Sequence, residues 1–311
     1  MAELLSALFT WFVFPGFIFL LLCTWAFDWL DRRIIARFHG RVGPPWFQPL
    51  ADWIKLLAKE DILSTGINER LAAILPMLSF AMVLAASLYI PVAGYTAAAF
   101  EGDLIVVLFL LSMPALAYFL AGWISGGAYG IMGGNRALLQ YFSYEVPFLM
   151  AMVGPAILGN SWSISQIAQQ QTGTLWYAFV QPVGFILAII GLIGKLKRDP
   201  LDIPKAKSEV VGGSLTEYSG RKLVLWHLTM EMQAVLGIFL LINTFLGGAI
   251  TAMVGLNILL FFLMAMVILL SLSTASVIYA RLRIDQLAYL GWRVFAPLAL
   301  LQIAFVVWMG G

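Results

Sequence analysis

Two glutamates inside long apolar stretches are the side chains of this 311-residue chain best suited to proton chemistry. Glu145 lies in the fourth apolar stretch, and Glu231 lies in the sixth, four residues after His227. A charge at the centre of a bilayer costs on the order of 2.5–3.5 kcal/mol, so such acids are expected to be protonated, hydrated or paired. We predict that both carry protons in a relay; the alternative is that neighbouring helices hold them as structural acids. His227, one helical turn from Glu231, either shuttles protons with it or makes a packing contact.

The densest charge lies in residues 195–222, where 11 of 28 residues are charged. Long apolar runs flank this segment on both sides. A chain with so few charges elsewhere is expected to use the ones it concentrates here, so we predict a functional surface in this loop.

Other kinds of site have little support in the sequence. The lone cysteine, Cys23, cannot hold an iron–sulfur cluster or a zinc site by itself, so we expect no redox centre and no metal bound by this chain. The glycine-rich residues 126–134 do not follow a strand, which favours close backbone approach at a helix end over a phosphate cradle. The net charge of +2 gives no sign of nucleic-acid binding, and we expect a lipid bilayer around the chain instead.

The elements that must position these residues are membrane-spanning helices. The chain is 62% hydrophobic and 11% charged, which is typical of polytopic membrane proteins. A spanning helix needs roughly 20 apolar residues, and eight segments qualify. We predict an all-α fold in a single membrane domain over residues 1–311, with spans at 4–27, 71–93, 104–125, 138–159, 175–194, 223–247, 256–280 and 287–308. The fourth span is the weakest because Glu145, Pro147 and Pro155 fall in it.

The basic residues predict the orientation of these spans. All 18 Lys and Arg lie in or beside the loops 28–70, 126–137, 195–222 and 281–286. The loops near 94–103, 160–174 and 248–255 contain none. By the positive-inside rule the basic loops face the cytoplasm, so we predict a multi-pass protein of the cell membrane with both termini outside.

One helix is predicted to lie at the membrane surface. After Pro49, apolar residues recur at helical spacing at Leu50, Trp53, Ile54 and Leu57, while charged residues occupy the other faces. This pattern indicates a short amphipathic helix in the interface plane. It either anchors the chain or forms one wall of a cavity at the membrane surface.

Four stretches in the basic loops together resemble the H subunit of respiratory complex I and the corresponding subunit of membrane-bound hydrogenases. They are Arg41-Val-Gly-Pro44 with Gln48 through Glu60; Gly133-Gly-Asn-Arg136 with Gln140 through Pro147; Asp202-Ile-Pro204 through Gly220; and Arg283-Ile-Asp285-Gln286 with Gly291-Trp292. Their order and spacing match over nearly the whole chain, including the eight spans.

The resemblance implies a subunit that joins a peripheral redox arm to an ion-translocating membrane arm. The acids that would line its proton path are Glu145, Glu209, Glu217, Glu231 and Asp285. The residues that would shape the cavity and docking edge are Arg41, Gln48, Asp52, Lys55, Lys59, Asp202, Lys205, Lys207 and Arg221. The implied partners are iron–sulfur and hydrogenase-like subunits on the cytoplasmic side and antiporter-like membrane subunits. Iron–sulfur clusters, and nickel–iron in hydrogenase-type relatives, would belong to those partners.

Two departures separate this chain from quinone-reducing members. Only Pro45-Trp46-Phe47 connects the Arg-x-Gly-Pro turn to Gln48, whereas the quinone type has a longer linker. Lys205-Ala206-Lys207 stands where the quinone type has Glu-Ala-Glu. These lysines could pair with Asp202 or Glu209 or gate the path electrostatically. Both departures favour the ferredoxin-linked hydrogenase or sulfur-reducing type.

We therefore expect a membrane subunit of a complex I-like redox-driven ion pump. The alternatives are a quinone-binding H subunit of an NADH:quinone oxidoreductase, a secondary ion transporter that acts alone, and a purely structural anchor for soluble redox subunits. A transporter would favour internal repeats and polar sites at the midplane, and we find neither in the sequence.

Overall fold

Apolar segments of the chain form α-helices throughout the part that the structure describes. The computed structural model describes residues 9–64, 67–171, 175–248 and 253–310, without the side chains of residues 207, 208, 254 and 310. The helices are α1 (Phe17–Phe38), α2 (Gln48–Leu57), α3 (Glu69–Ser87), α4 (Asp103–Ile124), α5 (Ala128–Leu158), α6 (Ile164–Gln170), α7 (Tyr177–Val180), α8 (Pro182–Leu196), α9 (Lys207–Val210), α10 (Gly220–Phe245), α11 (Val254–Ile278), α12 (Ile284–Leu290) and α13 (Ala296–Gly310). A π-helical turn, Gly291–Phe295, joins the last two helices.

The predicted all-α membrane architecture is confirmed. Within the described residues, seven helical stretches are long and apolar enough to cross a membrane, and α8 is a shorter apolar helix at the position of the predicted fifth span. Because α8 has only 15 residues, it rises roughly 22 Å at 1.5 Å per residue, which is less than the hydrocarbon thickness of a bilayer.

Helix α10 forms the centre of the bundle. Every residue from Met232 to Phe245 is buried, because α1, α3, α6, α8 and α11 surround this half of the helix. The other half of α10 reaches the charged end of the molecule and contains Glu231. A helix that is apolar on all sides is expected at the core of a bundle.

Several helices extend further into the charged loops than the sequence indicates. Helix α1 continues to Phe38, and α5 begins at Ala128, inside the predicted loop 126–137. The beginning of α5 packs against the 3₁₀ turn Gly213–Leu215, where a Cβ atom on Gly133 would lie 2.5 Å from the Gly213 Cα. The predicted close backbone approach of the glycine-rich segment is therefore present, inside a helix.

The charged segment 195–222 folds back onto the helix bundle. The Gln140 side chain of α5 donates hydrogen bonds to the carbonyls of Gly194, at 2.9 Å, and Leu201, at 2.7 Å. The apolar side chains of Leu201, Ile203 and Val210 are buried. This segment therefore covers the ends of α5 and α8, and its charges lie on both its inner and its outer side.

The amphipathic helix α2 lies against α1 and α10 at the same end of the molecule. Its Trp53 side chain is 7% exposed, whereas Ile54 is 65% exposed. The preceding turn is attached to α1 by two indole N–H groups: Trp25 donates to the Trp46 carbonyl at 2.9 Å, and Trp29 donates to the Pro44 carbonyl at 3.2 Å. The short linker of this chain is thus held on α1 by hydrogen bonds.

Candidate functional site

A buried ion pair joins helices α5 and α8. The Lys195 Nζ lies 2.8 Å from the Glu145 Oε1, and the two side chains are 1% and 4% exposed. Ser112 of α4 donates to the same carboxylate oxygen, and Lys195 donates to the Ser112 hydroxyl at 3.1 Å. The ammonium also lies 4.9 Å from the centroid of the Phe148 ring. Three helices therefore meet at one carboxylate.

The position of Lys195 is the main difference between the observed site and the site predicted from the sequence. The sequence places it at the start of the charged loop, but it lies in the last turn of α8 with its side chain in the protein interior. A long lysine side chain at the end of a helix usually extends to the polar interface. Here the Glu145 carboxylate draws it inward, so Glu145 is a paired acid.

Two more lysines continue from this pair toward the charged end of α10. Lys197 caps α8 and is 6% exposed, with its Nζ 4.6 Å from the centroid of the Tyr118 ring. Lys205 is half-buried in the 3₁₀ turn Ile203–Lys205, and its Nζ lies 3.0 Å from the Met230 thioether. Burial lowers the pKa of Lys205 to about 8, although the nearby Asp202 acts in the opposite direction. Among the described residues, Lys205 forms no ion pair with Asp202 or Glu209.

A second cluster, here called the Arg32 cluster, comprises Asp28, Arg32, Asp52 and Glu231. The Arg32 guanidinium lies 2.8 Å from both Asp28 and Asp52 carboxylates and 3.9 Å from the Glu231 carboxylate. Trp53 donates its indole N–H to the other Glu231 oxygen at 3.1 Å. The cluster thus connects α1, α2 and α10 through a single guanidinium.

A cavity of about 230 Å³ opens beside the Arg32 cluster, between α2 and α10. Its walls include Lys55, His227 and Glu231 together with Arg32 and Asp52. Gln48 donates to Asp52 at 3.1 Å and thereby orients the carboxylate that faces Arg32. Of the two interpretations of α2, the structure favours the helix as a cavity wall.

Arg198 extends the network from the charged segment to α1 and α11. Its guanidinium lies 2.9 Å from the Asp31 carboxylate, which is 7% exposed. Ser273 of α11 donates to the other oxygen of Asp31 at 2.5 Å. The segment that contains Lys197 and Lys205 is therefore fixed to the helix that contains Arg32.

Glu209 and Asp285 lie apart from these buried groups. They share a cavity of about 410 Å³, here called the arginine cavity, with Arg136, Arg281 and Arg283. The Arg136 guanidinium donates to the exposed Glu209 carboxylate, and this hydrogen bond and charge hold the Glu209 pKa below its ordinary value. Arg281 also contacts Asp202, at 3.5 Å between side chains. These two acids are surface residues beside arginines.

The other predicted residues are spread over the charged end. Arg41, Lys59 and Arg221 are exposed, and the Arg221 backbone N–H donates to Asp61 at 2.7 Å. Glu217 is half-buried, with its carboxylate against Gly127. The side chain of Lys207 lies outside the described residues, so its predicted pairing stays a prediction.

Sequence reasoning missed four members of the Glu145–Lys195 site and the Arg32 cluster: Asp28, Arg32, Ser112 and Lys195. It also missed the ion pair between Arg198 and Asp31. Two signals were available. Asp28 and Arg32 are four residues apart, at the spacing of neighbours on one helix face. Lys195 directly follows an apolar run, and no proline separates it from that run. Ser112 carries no signal in the sequence.

Together the fold and the site define a class: a multi-pass α-helical membrane protein with ionisable side chains in contact across its interior. The model of the NADH dehydrogenase family matches residues 12–307, so the chain belongs to this family. It is a complex I-like membrane subunit.

Similar proteins agree with this assignment. The chain is 32% identical to the H subunit of NADH-quinone oxidoreductase from Dehalococcoides mccartyi, over 92% of this chain and 82% of that protein. It is 33% identical to the same protein of Thermomicrobium roseum, over 88% of each chain. A solved structure of the membrane-bound sulfane sulfur reductase, an archaeal respiratory membrane complex, matches over 100% of both chains with a TM-score of 0.87 and 25% identity.

Proposed function

We propose that this chain connects a peripheral electron-transfer arm to an ion-translocating membrane arm in a ferredoxin-linked complex of the hydrogenase or sulfur-reducing type. The observation that carries the proposal is the series of interior charges from the Glu145–Lys195 pair, through Lys205, to Glu231 in the Arg32 cluster. Replacing a buried ion pair by packed apolar residues is often neutral or stabilising. Charges kept in a membrane interior therefore favour a role in ion movement.

The coupling step starts at α2. A change of charge on a redox centre held by a partner subunit above α2 would alter how Arg32 divides its contacts among Asp28, Asp52 and Glu231. A Glu231 released from Arg32 would take up a proton, and the interior lysines would pass the change on toward Glu145. In this proposal the charged end of the bundle faces the cytoplasm and both termini lie outside.

The type of complex is supported by the chain's own residues. The short Pro45-Trp46-Phe47 linker is held on α1 by indole hydrogen bonds, and Lys205 occupies the interior beside Met230. The likeness to the chain of the sulfur reductase complex over the full length of both chains supports the same type. The clusters would then belong to iron–sulfur and hydrogenase-like partners, next to antiporter-like membrane subunits.

The second candidate is a quinone-binding H subunit. The similarity to the H subunits of NADH-quinone oxidoreductases favours it, and so does the cavity of about 230 Å³ between α2 and α10. Reduction of a quinone there would deliver the charge change directly to His227 and Glu231.

The test is to purify the native complex through a tag on this chain and to identify its subunits and metals. The proposal expects iron–sulfur proteins and a hydrogenase-like large subunit, with nickel in the hydrogenase type and without nickel in the sulfur-reducing type. An NADH-oxidising module with bound quinone would establish the second candidate. Ion flux by the chain alone in liposomes would contradict both and support a transporter.

A further inference from the structure

Lys197 occupies an unusual position at the end of α8. It is the first residue after the helix, its backbone is left-handed at φ 51°, and its side chain is 6% exposed. A residue other than glycine rarely adopts this left-handed backbone conformation, which costs on the order of 1–3 kcal/mol. The strained turn directs the lysine into the protein.

The Lys197 ammonium has little to compensate for its burial. It forms no ion pair with any residue that the structure describes, and its Nζ lies over the face of the Tyr118 ring, 4.6 Å from the ring centroid. Tyr118 itself is fully buried and packs edge-on against Trp226. A desolvated cation–π contact is worth about 2 kcal/mol, whereas burying an ion costs several kcal/mol.

The charges around Lys197 come from three elements. Lys205 acts from the 3₁₀ turn, Lys195 from the last turn of α8 and Glu145 from α5. Burial, and then the two neighbouring ammonium groups, lower the pKa of Lys197 to about 7, while Glu145 acts in the opposite direction. The neutral and the charged form of this side chain are therefore both accessible near neutral pH.

We propose that Lys197 carries protons between the buried Glu145–Lys195 pair and Lys205, and so connects that pair to the Glu231 end of α10. In this step an N–H bond of the Lys197 ammonium breaks and its proton passes to the Glu145 carboxylate. The neutral Lys197 amine then takes up a proton from the Lys205 ammonium, and no electron is transferred. This inference rests on the proposed ion-pumping function and adds a specific carrier to it.

The test compares Lys197→Met and Lys197→Arg in the intact complex, reconstituted in sealed vesicles. Arginine keeps the positive charge and the contact with the Tyr118 ring, but it does not release a proton at accessible pH. We expect both variants to lower the number of ions moved per electron at least tenfold, with electron transfer within about twofold of wild type. Arg70→Met, at an exposed basic residue of the same end, is the matched control and should behave as wild type.

Two results would overturn the inference. If Lys197→Arg pumped like wild type, the position would need only a positive charge. If Lys197→Met pumped like wild type, it would need no charge at all. Should Lys197→Met fail to assemble, the arginine variant decides alone. An unaltered wild-type complex that moves electrons without ions would instead refute the proposed function.

Discussion

At the scale of single residues, the Glu145–Lys195 pair explains how a carboxylate can remain deep in the bundle. Its Oε1 accepts hydrogen bonds from Lys195 and Ser112, and both side chains of the ion pair are almost fully buried. Removing one partner of a buried pair typically costs 3–5 kcal/mol, because the other is left unpaired, whereas removing both can be neutral. The pair is therefore stable as a unit and sensitive to the loss of either charge.

The first prediction concerns this pair. Lys195→Met should lower the stability of the purified complex by about 3–5 kcal/mol, since it leaves Glu145 buried without its ammonium. Combining it with Glu145→Gln should restore more than half of the lost stability, measured as the thermal unfolding midpoint in detergent. If the loss of stability in the double variant equalled the sum of the losses in Lys195→Met and Glu145→Gln alone, the two side chains would not stabilise the protein as a pair.

Lys205 gives a prediction about pH. Its native pKa of about 8 lies below the ordinary lysine value of about 10.4, so the unfolded chain binds more protons between these values. Native stability should therefore rise with pH from about 8 to 10.

Lys205→Met removes this dependence. One pKa unit corresponds to about 1.4 kcal/mol, so at pH 7 this variant should be more stable than wild type by about 1–3 kcal/mol. The difference should narrow when the unfolding midpoints are measured at pH 9.5. Lys55→Met, at an exposed position, serves as the control. An equal difference in stability between Lys205→Met and wild type at both pH values would contradict the lowered pKa of Lys205.

At the scale of elements, α2 is attached to the bundle by a few side chains on one face. Trp53 is buried against α10 and Asp52 binds Arg32 of α1, whereas Ile54 and Leu57 remain 65% and 49% exposed. The exposed apolar face is available for lipid or for a partner subunit. We expect loss of the contacts on this buried face to detach α2 while the rest of the helix bundle stays folded.

The third prediction tests this attachment. Trp53→Ala should cost about 3–5 kcal/mol of local stability and speed hydrogen exchange in residues 48–57, while the α10 core from Met232 to Phe245 stays protected. Ile54→Ala, on the exposed face of the same helix, should leave exchange unchanged. Equal acceleration by the two variants would show that Trp53 does not anchor the helix.

Sequence patterns predicted the elements better than their ends. The apolar runs predicted the spans. The spacing of Trp53 and Leu57 predicted α2, because periodicity indicates which face of a helix is apolar. The patterns placed Lys195 and Arg32 in loops, since charge in a membrane protein usually marks the end of a span. In the structure both residues lie within helices, and a carboxylate from another helix contacts each of them. Such partners are distant in sequence, and periodicity carries no information about them.

At the scale of the whole molecule, charge is concentrated at one end of the bundle. In the sequence, all 18 Lys and Arg fall in or beside the loops of this end, and the only charged residues of the opposite loops are Glu101 and Asp103. The ion pairs lie toward this end, whereas the half of α10 from Met232 to Phe245 is buried among other helices. The proposed orientation turns the charged end toward the cytoplasm.

Orientation can be tested with single cysteines. Cys23 is buried, so the wild-type chain should not react with a membrane-impermeant maleimide added to intact cells. Ala99→Cys should react, because residue 99 is exposed on the side without basic residues. Ser64→Cys should react only after the cells are opened. The reverse pattern would mean that the bundle is inserted the other way round.

The most direct test of the central claim is the number of ions moved per electron in the reconstituted complex with Glu145→Gln. The glutamine keeps the shape of the side chain and one oxygen that can accept from Lys195 and Ser112, but it has no charge and cannot take part in proton exchange at neutral pH. We predict at least a tenfold loss of ion translocation with electron transfer within about twofold of wild type, while Glu69→Gln, at an exposed glutamate, behaves as wild type. Unchanged translocation in Glu145→Gln would contradict the claim that the interior charges of this chain couple electron transfer to ion movement.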